Sequence, residues 1–374
     1  MVKKSVVIIS YALGNDPSAV AQRINILYDT FVKNNIHVQA IYSNGSAKSS
    51  NDYNIKGFNT SKNYNIYLRF LNEIFVGIKA LYYIFLLRKS DYFLVSSPPY
   101  FYGLFIVFIL RLFKIRYWLD IRDNYPEALS DASIIKKNNL IYKFLSWVTN
   151  NNYKKATSVL VANPKFLVTF SSKKKYIFNN GFPEAFLNKR PKKYLNKTIC
   201  IHGTFGYFQD IEFILKLNKK FIKENINLLL IGYGSKLEII EKLNFPNISI
   251  FKNIPNNLCI DMVSKCHIGL SIRDSSNIGA NAFPVKVWEY LGLNIPCVLF
   301  PSFKNLKQDI KKTNLLHFLP RRSELLAMKE INLIFKRYSK FFYIKNNSIN
   351  KSLIQKYSRE KESVKAYNFL IKNF

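Results

Sequence analysis

Short apolar runs of strand length alternate with helical stretches along the whole chain, and this rhythm constrains the fold more than any other feature. Residues 6–10, 38–42, 92–95, 117–121 and 158–161 read as buried strands. Between the first two, residues 18–34 place Ala21, Ile24, Leu27 and Phe31 on one helical stripe. A polar segment, Asn179-Asn180-Gly181-Phe182-Pro183-Glu184 with Asn188-Lys189-Arg190-Pro191-Lys192-Lys193 after it, reads as turn and linker. The alternation then restarts, with strands at 198–201, 228–231, 248–251, 268–272 and 298–300. Strands that alternate with helices predict parallel sheets covered on both faces. The chain has 374 residues, enough for two cores of roughly 180 residues each. Two consecutive Rossmann-like halves are therefore expected, with residues 348–374 forming a charged terminal helix.

Charge narrows the partners. Lys and Arg number 56 against 23 Asp and Glu, a formal net charge of +33. Such a surface favours anionic partners: nucleic acid, lipid headgroups or phosphorylated small molecules. The charge is spread along the chain, and no helix-turn-helix, zinc-finger or RNP-type pattern accompanies it, so no nucleic-acid partner is expected. Four cysteines without a C-x-x-C spacing, and four scattered histidines, predict reduced thiols and no structural zinc. Residues 5–10 are strand-length and followed by polar residues, unlike a secretory leader. Residues 100–110 are apolar but too short to span a bilayer, which takes about 20 residues. Residues 64–87 are longer but carry Arg69, Glu73 and Lys79. Both stretches read as helices that are packed in a core or lie on a membrane surface.

Parallel sheets bind ligands beyond the carboxyl ends of their strands. That rule selects the loops at 11–17, 96–99, 121–127, 202–209 and 273–283. Arg122 and Asp123 lie just past a strand. A carboxylate beside an arginine stays ionised and can orient or deprotonate a hydroxyl, though the same pair also suits a structural role. Gly203 and Thr204 follow another strand, where small residues let backbone N–H groups approach a diphosphate. Arg273 opens the loop that leads to Phe283-Pro284-Val285-Lys286-Val287-Trp288-Glu289. There Pro284 suits a first helical turn and Gly292 a left-handed helix end. Lys286 and Glu289, three apart, share a face near the helix start, which favours an anion, though the same spacing equally suits a surface ion pair on an ordinary helix.

Taken in order, these blocks resemble family 4 glycosyltransferases of the bacterial surface-polysaccharide type. Asp120-Ile121-Arg122-Asp123-Asn124-Tyr125-Pro126-Glu127 is similar to their D-x-R-D-x-W-P-E block, and Phe283 to Leu291 to their P-S-K-x-x-E-Y-x-A block. Leu293 to Val298 is similar to the G-x-P-V strand, Asn180-Gly181 to the interdomain N-G-V-D, and His202 to Gly206 with Gln209-Asp210 to Y-x-G-x-x-G…Q-G. Pro17 to Arg23 is similar to the first loop and helix.

The resemblance implies a GT-B fold, two Rossmann-like domains facing across a cleft, with the C-terminal helix crossing back to the N-terminal domain. Its domains would be 1–185 for the acceptor, 186–350 for the donor and 351–374 for the returning helix. It implies retaining transfer from a nucleotide-diphosphate sugar, with UDP favoured, and neither cofactor nor metal. Glu289 matches the ribose-contacting glutamate, while Asn281 stands where the family's first glutamate falls. The implied donor set is Glu289, Lys286, Gly203, Thr204, Arg273, Asn281, Phe283 and Pro284. Asp123 and Arg122 would line the reacting centre, and Gly14 and Arg23 the acceptor side. The expected partners are a nucleotide sugar, a lipid-linked glycan and an anionic membrane surface, which places the chain in the cytoplasm, peripheral at the inner face of the cell membrane. Two alternatives stand beside this reading: a non-catalytic basic protein that binds glycan or nucleic acid, and a nucleotide-sugar epimerase.

Overall fold

A computed structural model describes residues 4–58, 66–131, 134–164, 166–169, 174–206, 209–274, 283–300, 310, 313–339 and 347–372. The chain divides into two units, Met1–Asn180 with Arg359–Phe374, and Gly181–Ser358.

The first unit holds β1 Ser5–Leu13, α1 Ala19–Lys33, β2 His37–Gly45, β3 Tyr53–Asn54, α2 Ile66–Leu86, β4 Tyr92–Ser97 and α3 Tyr100–Leu112. It continues with β5 Tyr117–Ile121, α4 Glu127–Asp131, α5 Leu140–Lys155, β6 Ser158–Val161, α6 Phe166–Thr169 and β7 Lys175–Ile177. Its sheet has the order β3-β2-β1-β4-β5-β6-β7, and every pairing is parallel. The chain starts at the middle of the sheet, winds to one edge, then returns and winds to the other, the doubly wound order.

Local chemistry explains the elements. Ser18 caps α1 by accepting from the Ala21 amide at 3.3 Å. The helix ends at Asn34, and Asn35 then takes a φ of 61°. Ile24, Leu27 and Phe31 of α1 are buried against Val6, Ile8 and Leu94 on one sheet face. On the other face, α2, α3 and α5 supply Val76, Ala80, Ile84, Ile106, Leu110 and Tyr153. The apolar stretch at 100–113 thus serves the core with Tyr102, Ile106 and Leu110, while Phe108, Leu112 and Phe113 stay exposed.

The second unit holds a 3₁₀ turn at Glu184–Asn188, β8 Thr198–Thr204, α7 Ile211–Lys223, β9 Asn227–Tyr233, α8 Ser235–Lys242, β10 Ile248–Lys252 and α9 Asn256–Ser264. There follow β11 Ile268–Ile272, α10 Val285–Gly292, β12 Cys297–Phe300, β13 Leu316–Phe318, α11 Glu324–Ser339 and α12 Asn347–Gln355. Its parallel sheet runs β10-β9-β8-β11-β12-β13, the same doubly wound order.

The terminal stretch is two helices, not one. Tyr357 and Ser358 close the first in a turn, and α13 Arg359–Ile371 then packs on α1 within the first unit. Ala366 and Leu370 join the core beside Phe31, and Thr30 Oγ1 lies 2.7 Å from Ser363 Oγ.

Candidate active site

In the second unit, the carboxyl ends of β8 and β9 run side by side, Gly203 opposite Gly232. A Cβ on Gly232 would fall 1.9 Å from the Gly203 carbonyl oxygen, so only glycine lets the two strand ends approach. Among the described residues the one near neighbour of a Cβ added at Gly203 would be Lys286 Cε, at 3.8 Å. The Lys286 side chain therefore reaches over the glycine, and Thr204 beside it is exposed.

Lys286 sits in the first turn of α10, whose N-cap is Pro284 with φ −68° and ψ 144°. Pro284 precedes the helix instead of opening it. Its own missing N–H costs nothing there, and the amides that follow carry the partial positive charge of a helix start. Arg273, directly after β11, donates its amide to the Phe300 carbonyl and bridges Gln209. Burial, then repulsion from Arg273, lowers the Lys286 ammonium from 10.5 to about 8. Two cations thus act on each other beyond the carboxyl ends of the inner strands, which favours an anion there. Phe283 packs edge-on to Trp288, with ring centroids 4.9 Å apart. Asn281 lies outside the described residues.

Glu289 sits deeper than its spacing from Lys286 suggests. It is 6% exposed, and its Oε2 lies 2.7 Å from His202 Nε2. His202 Nδ1 lies 3.1 Å from the Tyr290 hydroxyl, which in turn donates to the Cys200 carbonyl. A buried chain therefore ties α10 to β8 through His202, whose role in positioning Glu289 the sequence reading missed. The available signal was strand parity: His202 alternates with Gly203 at the end of a buried strand.

Gly292 does not take the left-handed position expected of it. It is the last helical residue, and Asn294 has the positive φ of 56°. Glycine is required because Phe182 packs there: an added Cβ would lie 2.5 Å from its ring.

In the first unit, Arg122 and Asp123 follow β5. The Arg122 amide donates to the Ser97 carbonyl at 3.1 Å and its Nη2 to the Pro98 carbonyl, so Arg122 clamps the 96–99 loop. Burial pushes its guanidinium below the usual range, while Asp120 and Asp123 oppose that shift. Arg122 Nε is buried with no hydrogen-bond partner among the described residues. Asp123 is half-buried beside it.

Gly14, at the end of β1, has φ +62° and would place a Cβ 2.2 Å from the Ser46 carbonyl. Asn25 holds it in both directions, accepting from its amide and donating to its carbonyl. Arg23 is turned inward. It is buried, lies bidentate on Asp120 at 2.8–3.1 Å, donates to the Phe178 carbonyl at 2.7 Å and stacks 3.8 Å over the Phe178 ring. Its guanidinium joins α1, β5 and the strand-end after β7. Among the described residues no cluster of His, Cys, Asp and Glu could hold a metal ion.

Two doubly wound units in one chain define the GT-B class of fold. Solved structures share it across essentially their whole length. HepE of Anabaena, in complex with UDP-glucose, superposes with a TM-score of 0.68 at 9% identity, covering 98% of this chain and 99% of that one. The pneumococcal O-GlcNAc transferase GtfA, in complex with UDP and GlcNAc, gives 0.65 at 9% over 100% and 99%. TarM gives 0.64 at 12% over 98% of each. No protein-family profile matches the chain, nor does any curated protein. At these identities the likeness is one of fold.

Proposed function

We propose that this chain is a glycosyltransferase that moves a sugar from a nucleotide-diphosphate donor, UDP-linked by preference, to a hydroxyl of a lipid-linked glycan. The carrying observation is the Lys286–Arg273 pair beside glycine-lined strand ends, in a fold whose solved examples include complexes with UDP-glucose and UDP. Lys286 and the amides that open α10 would hold the diphosphate and stabilise the charge it gains as the bond to the sugar breaks. Glu289, fixed by His202, is the ribose-side carboxylate. Asp123 would take the proton of the acceptor hydroxyl as that oxygen bonds to the sugar carbon and the bond from the sugar to the diphosphate breaks, and Arg122 would line the same reacting centre.

The finer reading follows the sequence blocks: a family 4 enzyme, retaining and independent of metal, transferring a hexosyl or N-acetylhexosaminyl group in capsule, O-antigen or exopolysaccharide synthesis. A lipid-borne acceptor would bring it to the inner face of the cell membrane as a peripheral protein. The test is a thermal melt with UDP and GDP, followed by assay of released nucleotide diphosphate with membrane lipid extract as acceptor. A rise in melting temperature with one nucleotide, and its release only when lipid extract is present, supports the reading. No shift with either nucleotide, together with salt-sensitive DNA binding, overturns it in favour of a basic binding protein.

A further inference from the structure

We propose that the outward faces of α2, α3 and α5 form one docking surface for an anionic lipid bilayer. This deepens the reading above by naming the face, and it rests on that reading only for the lipid-borne acceptor.

Each of these helices carries two apolar stripes where a water-facing helix needs one. On α2 the inner stripe is Val76, Ala80 and Ile84, all buried. The outer stripe is Ile78, Tyr82 and Phe85, spaced four and three apart, with Tyr82 70% exposed. On α3, Ile106 and Leu110 face the sheet while Phe108 and Leu112 are exposed. On α5, Tyr153 is buried while Phe144 and Trp147 are exposed, Trp147 at 64%. The stripes are neighbours, because α3 packs against both α2 and α5. In the last turn of α2, the Phe85 ring meets Phe113, just past α3, with centroids 6.1 Å apart. Adjoining apolar stripes of this kind mark an interaction site rather than chance exposure.

Charge selects the occupant. Lys79, Arg88, Arg111, Lys114 and Lys143 are exposed on or beside these helices. The only acid in the sequence of α2, α3 and α5 is Glu73. It is buried and accepts from the Phe101 amide at 3.1 Å. A second copy of the same face would set cations against cations. An anionic bilayer instead takes the aromatic rings at its interface and pairs the lysines and arginines with headgroups. Among the described residues no helix is long and apolar enough to cross a membrane, so these helices would lie along its surface.

The chain carries its own reporter. Of its three tryptophans, Trp118 and Trp288 are buried and Trp147 is exposed. Full-length protein is mixed with vesicles of phosphatidylcholine alone or with phosphatidylglycerol added, without nucleotide or acceptor. Anionic vesicles should shift the tryptophan emission to the blue, and brominated lipid should quench it. Trp147→Phe should still sediment with the vesicles but lose both signals. Phe108→Ser with Phe144→Ser, and separately Lys114→Glu with Lys143→Glu, should each lower partitioning at least about tenfold at unchanged melting temperature. Equal binding of wild type and folded variants would overturn the proposal, as would equal binding to neutral vesicles. A lipid-free dimer that Phe144→Ser makes monomeric would assign the face to a second copy. Because no substrate is present, failure here leaves the transferase reading intact, and a chain that fails the nucleotide melt can still dock.

Discussion

Glu289 Oε2 and His202 Nε2 lie 2.7 Å apart inside the second unit, so the carboxylate assigned to the ribose is aimed by a strand residue. Removing the imidazole takes one hydrogen bond from a buried carboxylate, at a cost of about 1–3 kcal/mol. His202→Ala should therefore lower the melting temperature and weaken UDP binding together. Glu289→Ala should weaken UDP binding at least as much. Calorimetric titration of the three proteins checks both. Unchanged UDP affinity in His202→Ala would remove it from donor positioning.

A lowered Lys286 ammonium predicts a donor affinity that depends on pH. Its ammonium loses its proton near pH 8, so nucleotide binding should weaken as pH rises through about 8. Stability moves the other way. Between about 8 and the ordinary 10.5 the unfolded lysine holds a proton that the folded one has lost, so the free protein should gain stability as pH rises across that window. Lys193, also lowered to about 8 by burial, acts with the same sign. The readout is thus the difference between wild type and Lys286→Met. At pH 7 the variant should be the more stable protein, yet show no UDP-dependent rise in melting temperature.

Arg23 is a structural fastener. Breaking a buried, multiply bonded pair by deleting one partner costs about 3–5 kcal/mol. Arg23→Met or Asp120→Asn should destabilise the first unit on that scale in chemical denaturation, because a buried charge then loses its bidentate counter-ion. A loss below about 1 kcal/mol, the range of a surface pair, would refute the fastening role.

Asp123 separates chemistry from binding. Asp123→Asn keeps the shape but not the charge. It should slow turnover by about 10²–10⁴ with no change in the UDP melting shift. A slowdown within about twofold, below acid/base contributions, would make Asp123 structural.

The strands and the doubly wound order were legible because buried parallel strands are continuous apolar runs, as in Val6 to Ile9 and Leu228 to Ile231. The position of Lys286 at a helix start was legible for the same reason: a proline and an apolar helix mark it. What sequence could not show was how side chains pair. Arg23 meets Asp120 across 97 residues and His202 meets Glu289 across 87, distances at which no local pattern operates. Gly292 misled because two demands select glycine, a left-handed backbone and a close neighbour, and only the fold shows that Phe182 is that neighbour. The outward apolar residues of α5 were hidden similarly. An exposed stripe and a buried one look alike until the sheet shows which side is inside.

The return of α13 has a consequence for synthesis. Ala366 and Leu370 complete a core whose other members lie before residue 181. On the ribosome, the first half emerges first yet lacks its closing helix until the second half has been made. Its α1 face, Phe31 included, waits uncovered through the translation of residues 181–358. The intervening half, by contrast, contains all of its own strands and can mature while the first is unfinished. The order of translation and the order of completion are thus reversed, and shortening the C-terminus should injure the unit nearest the N-terminus.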